Sequence, residues 1–223
     1  MSVDKFNQIV SALSSKARAK QSIYRQTATV FKQMKDIAAG MARQLDDHFN
    51  VEDPHVNIEF SDKGDFEFHL KFSGDLLVYT MHSNIVTFPP EHLLSKSPYI
   101  QEDAERKYFG QIMVYNFMAD SIKYNRLQDQ GYLVARILLN KDLHFYIEGV
   151  RQLNFLHPDI AQNKMDPAII ENLIQEAMLL AIDTDLTGRN VQEIKFITLG
   201  QKLANQMAPA IEKVGFNISA QAR

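Results

Sequence analysis

Apolar residues recur at alternating steps of three and four through the first fifty positions. They are Val3, Phe6, Val10, Leu13, Ala17, Tyr24, Phe31, Met34, Ala38, Met41 and Leu45. Lys20, Thr27 and His48 interrupt this register, while Ile9, Ile23, Val30 and Ile37 fall beside it and widen it. The spacing predicts a helical segment over residues 1–49 with one face buried. The face is broader than the seam of a two-stranded coiled coil and suits packing in a bundle or onto a sheet. The stretch 14–22, SSKARAKQS, holds no large apolar side chain, and Ser14 or Ser15 offers a cap. Two helices are therefore expected, one ending near residue 13 and one running from about residue 18 to 48.

The period then changes. Val56, Ile58 and Phe60 alternate with polar residues, and so do Phe66, Phe68, Leu70 and Phe72. Period two predicts strands with one buried face. Asp62-Lys63-Gly64-Asp65 and Ser73-Gly74-Asp75 supply turns. With Leu76–Met81 and Ile85–Phe88, residues 56–88 read as a four-stranded antiparallel meander. Pro89-Pro90 ends it, because proline has no N–H to give a ladder. Residues 89–106 read as a connection with one helical turn. A second strand set spans residues 108–150: 108–118 by aromatic and β-branched content, then a hairpin of Tyr132–Leu139 and Leu143–Val150 around Asn140-Lys141-Asp142.

Residues 166–216 predict helix, strand, helix. Asp166 caps and Pro167 opens a helix whose apolar face includes Ile170, Leu173, Ile174, Ala177 and Met178. Ile194–Leu199 reads as a strand, and Leu203, Met207, Ile211 and Val214 as a last helix disturbed near Pro209. The fold expected is α+β: one domain over residues 1–223, with an antiparallel sheet of about six or seven strands. The long N-terminal helical segment and the C-terminal helices pack on that sheet.

Composition narrows the function classes. The chain has 223 residues and no cysteine, so disulfides, thiolate nucleophiles and Cys-ligated zinc are excluded. No secretory pattern opens the chain, and no apolar run approaches the ~20 residues of a membrane span. A cytoplasmic protein with no membrane partner is expected. Charge is uneven: residues 1–35 carry seven cations against Asp4 alone, about +6, and the rest carries about −9 to give the net −3. Such a basic segment suits nucleic acid, an acidic partner or the protein's own acidic body. The candidate nucleic-acid contacts are Lys16, Arg18, Lys20 and Arg25.

No catalytic motif stands complete. Asp183-Thr184-Asp185-Leu186-Thr187 follows the apolar run Met178–Ile182 and resembles the nucleophile loop of haloacid-dehalogenase-like phosphatases. The resemblance implies Asp183 attacking phosphorus and Asp185 as general acid and base. In that family the loop follows a parallel strand and further motifs lie well beyond it, whereas here the preceding period is helical and the chain ends at Arg223. Glu193-Ile194-Lys195, with Asp183 or Asp185 upstream, resembles the PD-(D/E)XK nucleases. That resemblance implies carboxylates holding a divalent metal and Lys195 positioning the attacking water.

Asp65, Glu67, His69 and Lys71 share one face of a predicted strand, normally the polar, outward one. The seven histidines show no zinc spacing, and there is no Gly-rich phosphate loop. Phe60, Phe66, Phe68, Phe72, Phe145, Tyr146 and Phe155 are inward-pointing sheet residues that could line a ligand pocket.

The reading assigns no metal and no cofactor, and leans away from an enzyme. It expects an interaction or regulatory protein whose residues 3–48 meet a second copy or another protein, with Tyr24, Phe31, Met34 and Met41 as interface. The reason is surplus length: ~30 helical residues span ~45 Å, more than the strands they cover. The alternatives are a nucleic-acid-binding protein, with or without metal-dependent cleavage at Asp183, Asp185, Glu193 and Lys195, and a ligand-sensing domain.

Overall fold

The two expected N-terminal helices fold as one rod. In the computed structural model, which describes residues 2–149 and 157–184 with the backbone of 186–187 and 212–213, α1 (Ser2–Ala12) runs through a π-helical turn (Leu13–Ala17) into α2 (Arg18–Glu52). Neither Ser14 nor Ser15 caps a new helix. Ser15 Oγ instead donates to the carbonyl of Ser11 at 2.9 Å, and the position before α2 is itself helical. The Ser-Lys-Arg stretch thus widens one turn and leaves the axis unbroken. At 1.5 Å per residue the rod is ~76 Å long. It stops at Asp53, whose extended backbone is what a residue before proline prefers.

Six strands follow as a sequential antiparallel meander: β1 (Ile58–Asp62), β2 (Glu67–Phe72), β3 (Asp75–Val86), β4 (Phe109–Met118), β5 (Tyr132–Leu139) and β6 (Phe145–Gly149). The α+β arrangement stands as expected from the sequence. The first strand set differs in detail. Leu76–Met81 and Ile85–Phe88 are not two strands, because the single strand β3 takes in the first and ends at Val86 within the second, with an irregularity between His82 and Val86. The connection 89–106 carries two single turns, α3 (Leu93–Lys96) and α4 (Pro98–Gln101), and α5 (Ala119–Lys123) follows β4. The C-terminal helix α6 (Pro167–Ile182) begins as its sequence predicts: the Asp166 carboxylate accepts the Ile169 N–H at 2.8 Å and Pro167 opens the first turn. Leu186–Thr187 (β7) pairs with Glu212–Lys213 (β8), so the end of the expected last helix is extended. The expected strand 194–199 and the rest of that helix lie outside the described residues.

Both long helices lie on one face of the sheet. There α2 meets β1 to β4, and α6 meets α2, β3 and β5. The main core fills this layer: Ile23, Val30, Phe31, Met34 and Ala38 from α2, Phe68, Leu70, Leu77 and Tyr79 from β2 and β3, Ile112, Ile137 and Ile147 beyond them, and Ile170 and Ile174 from α6. Tyr79 stacks on Phe68 with ring centroids 4.4 Å apart, and burial pushes its phenol pKa up. Among the described residues, the other face of the sheet is covered at one end only. There α3 and α4 bring Leu94 and Ile100 onto Phe109 and Leu138.

Thr27, which breaks the apolar register in the sequence, marks the closest approach of helix and sheet. It is 1% exposed and its hydroxyl donates to the Ile23 carbonyl at 2.8 Å, so a polar group enters the core already satisfied. Opposite it is Gly110 of β4, where a Cβ would stand 2.0 Å from Thr27 Oγ1 and 2.9 Å from Thr27 Cβ. Only glycine permits this contact. Gly110→Ala is expected to cost about 1–3 kcal/mol by overpacking. Thr27→Ala should recover part of that loss in the double variant, giving a coupling of about 1 kcal/mol in a urea-denaturation cycle. Additive effects would show that the contact is not tight.

Candidate functional site

Three surfaces were candidates from the sequence: the stripe of the N-terminal helix, the acidic positions near the C-terminus, and the polar face of β2. The stripe divides in two. From Ala19 to Ala42 its inner side is closed by the chain's own sheet and α6. Phe31 and Met34, expected at an interface, are each 1% exposed within the core, and Tyr24 and Met41 pack half-buried against it. Phe31 and Met34 hold the rod to its own sheet, while Tyr24 and Met41 lie at the margin of that packing and stay partly open. The reason is that Ile23 and Val30, beside the expected register, lie at the centre of the buried face and draw Phe31 and Met34 in with them.

Upstream the situation reverses. Residues 4–16 are exposed, and α1 makes no more than marginal contact with any described element beyond its own rod. Phe6, Ile9, Val10 and Leu13 are 65%, 57%, 45% and 60% exposed. They lie on neighbouring turns and form an open apolar stripe on an arm of ~20 Å. The π-helical turn sits at its base. Of the basic positions nearby, Lys16, Arg18 and Arg25 are exposed, whereas Lys20 is half-buried with its ammonium 5.2 Å from the Tyr108 ring centre.

The acidic positions do not meet within the described residues. Asp183 is exposed, at the C-terminal end of α6, where its N–H donates to the Leu179 carbonyl. Asp185, Glu193 and Lys195 lie outside the described residues. Among the described residues no three His, Asp or Glu side chains gather in a way that would hold a metal ion, and no helix is long and apolar enough to cross a membrane.

Glu67, His69 and Lys71 share the outer face of β2 as expected. Asp65 does not join them: it precedes β2 and lines a groove of about 480 Å³ on the α2 side with Phe60, Phe66 and Lys35. Of the aromatic set, Phe68, Phe72 and Phe145 are core, and Phe155 lies outside the described residues. His69 is 8% exposed, with Nε2 2.8 Å from the Glu67 carboxylate. Above these residues the uncovered end of the sheet forms a second cleft of about 690 Å³, walled by α5 and the turn after it. Sequence reading missed this cleft because its wall, residues 118–126, shows no periodic signal.

Other polar clusters are structural ties. Tyr99 Oη donates to Asp142 and accepts from Asn140 Nδ2, each at 3.1 Å, while Arg106 covers the Tyr99 ring and binds Asp142 at 2.9 Å. Lys141 reaches Asp103 and Glu105. This clamp fastens the 89–106 connection to the β5–β6 turn. His92 is committed at both nitrogens: Nδ1 accepts the Leu94 N–H, and Nε2 faces Glu148 at 3.2 Å. It has no free atom for acid–base work.

The chain matches no protein-family model, and no curated protein or solved structure shows significant similarity to it.

The hydrogen bond from Lys141, then the Glu105 N–H, hold the Asp103 carboxyl below the usual carboxylate range. A carboxyl lowered in the folded state stabilises the fold above its unfolded pKa, and that contribution is lost as pH falls through the folded value. The melting temperature should therefore fall as pH drops below about 4. Lys141→Met is expected to flatten that slope, and an unchanged slope would remove the clamp from the account.

Proposed function

We propose that this chain is a cytoplasmic, non-enzymatic interaction protein that self-associates through its N-terminal helical arm. The carrying observation is the open stripe of Phe6, Ile9, Val10 and Leu13 on a helix that makes no more than marginal contact with the described residues beyond its own rod. The arm extends a helix already nucleated in α2, but most helical stability comes from a packed face and the arm's own face has none among the described residues. The arm therefore gains most from a second helix laid along it. The absence of cysteine suits a reducing compartment.

Asp4 and Lys5 stand at one end of the stripe and Lys16 and Arg18 at the other, twelve or more residues away, which is ~18 Å. A parallel pair would set Lys16 and Arg18 against their own copies, whereas an antiparallel, two-fold pair sets them beside an end whose two charges cancel and is the less repulsive of the two. Four side chains from each copy, at roughly 1.5 kcal/mol apiece, give a gross gain of ~12 kcal/mol. Lost rigid-body freedom offsets ~4–15 kcal/mol of it. The association is thus weak and reversible, micromolar or weaker. The exposed Lys16, Arg18 and Arg25 also support the alternative of nucleic acid as partner, through phosphate contacts with strong salt dependence.

Sedimentation of the full chain over a wide concentration range is the test. Phe6→Asp and Leu13→Asp should each weaken association tenfold or more with an unchanged melting temperature. Phe31→Asp, in contrast, should unfold the protein, since that ring is buried against Phe68. A monomer at every concentration would dismiss self-association.

A further inference from the structure

We infer that the cleft on the uncovered end of the sheet binds a small organic phosphate. Its lining brings together cations from segments far apart in sequence: Lys63 and Lys71 from the first two strands and the turn between them, and Lys123 and Arg126 from α5 and beyond. Only two carboxylates, Glu59 and Asp120, line it with them. Lys63, Lys71 and Lys123 form no ion pair with any described residue. Lys71 is steered by a 2.9 Å hydrogen bond to Asn57 Oδ1, another lining residue, which holds the ammonium in place.

Arg126 makes this more than a basic surface. Its side chain is 10% exposed, so the guanidinium has given up most of its hydration. In return it lies 5.4 Å from the Tyr124 ring centre and makes one loose ion pair, 3.8 Å to Asp129, whose same oxygen already accepts a 2.7 Å hydrogen bond from Ser121. Arg126 Nε is buried with no hydrogen-bond partner among the described residues. A buried charge with incomplete hydrogen bonding is costly, and a folded protein keeps one where a further anion completes the set. The planar guanidinium fork matches a phosphate in shape and in donors. The two histidines of the lining, His55 and His69, add ring donors or acceptors, with His69 already turned to Glu67.

The remaining wall says what the phosphate is attached to. Leu76, Met118 and Ile122 give the cleft an apolar side. A volume of about 690 Å³ is far larger than inorganic phosphate needs and falls in the usual range for small-molecule sites, ~300–1,000 Å³. A phosphate ester with a partly apolar body, of nucleotide or sugar-phosphate size, fits both features.

The test uses the full chain and inorganic pyrophosphate, with sodium chloride at matched ionic strength as the comparison. Backbone amide shifts are followed together with the melting temperature. Pyrophosphate should raise the melting temperature where chloride does not, as expected when a ligand binds only the native state. It should move amide signals of residues 69–74 and 119–126. Arg126→Gln and the pair Lys71→Gln with Lys123→Gln, the first half-buried and the second exposed, should each weaken pyrophosphate at least tenfold. The lysine pair keeps the test valid should Arg126→Gln destabilise the fold. Three outcomes would overturn the inference: stabilisation no greater than with chloride, shifts confined to residues 16–25 of the basic rod, or affinity unchanged in the lysine pair.

Discussion

The closure of α2 onto the sheet is the contact from which the rest of the molecule follows. One helix of 35 residues supplies buried side chains from Ala19 to Ala42, and among the described residues no other element contacts all of β1 to β4. The approach is set by Thr27 over Gly110, a polar residue satisfied by its own helix against a residue with no side chain. Burial of Ile23, Phe31 and Met34 on either side then fixes both rotation and height of the rod. Replacing one such side chain by Ala typically costs about 2–5 kcal/mol, a large share of the stability of a domain.

That closure also decides what is left over. Among the described residues the sheet ends where the rod does not, so the rod's first turns project past the surface that covers α2. The apolar spacing continues into the projecting part regardless, through Phe6, Val10 and Leu13. On the opposite face the short helices α3 and α4 cover the β4 to β6 end, and no described element covers the polar end over β1 to β3. The two proposed contacts of this protein, a helix on the arm and an anion in the cleft, therefore come from the same geometric cause. Coverage of the sheet is incomplete on each face, in different places.

Much of this was legible in the sequence. The change of period at residue 56, the Asp166-Pro167 cap and the turn at Asn140-Lys141-Asp142 each reflect local physics that tertiary contacts do not override. The α+β class and the six-stranded antiparallel sheet follow from them. Three features were not legible. The Ser14-Ser15 stretch read as a cap, yet a helix held by packing on one side tolerates a widened turn instead of breaking. Leu76–Met81 and Ile85–Phe88 read as two strands because a local irregularity at residues 82–86 imitates a turn. The division of the stripe into a buried and an open part depends on the width of the sheet, which periodicity does not encode. For the site, charge asymmetry pointed to the arm, while the cleft depends on Arg126 and Lys71 lining one wall from distant segments, a juxtaposition with no spacing signature.

Amide hydrogen exchange on the intact chain, measured at two widely separated protein concentrations, addresses the central claim most directly. Residues 23–42 should exchange slowly at both concentrations, because the sheet covers them whatever the assembly state. Residues 5–13 should exchange fast in dilute protein and slow in concentrated protein. Fast exchange of residues 5–13 at both concentrations, or loss of protection at 23–42 on dilution, would contradict the division of the rod into a part that belongs to its own fold and a part that belongs to another copy.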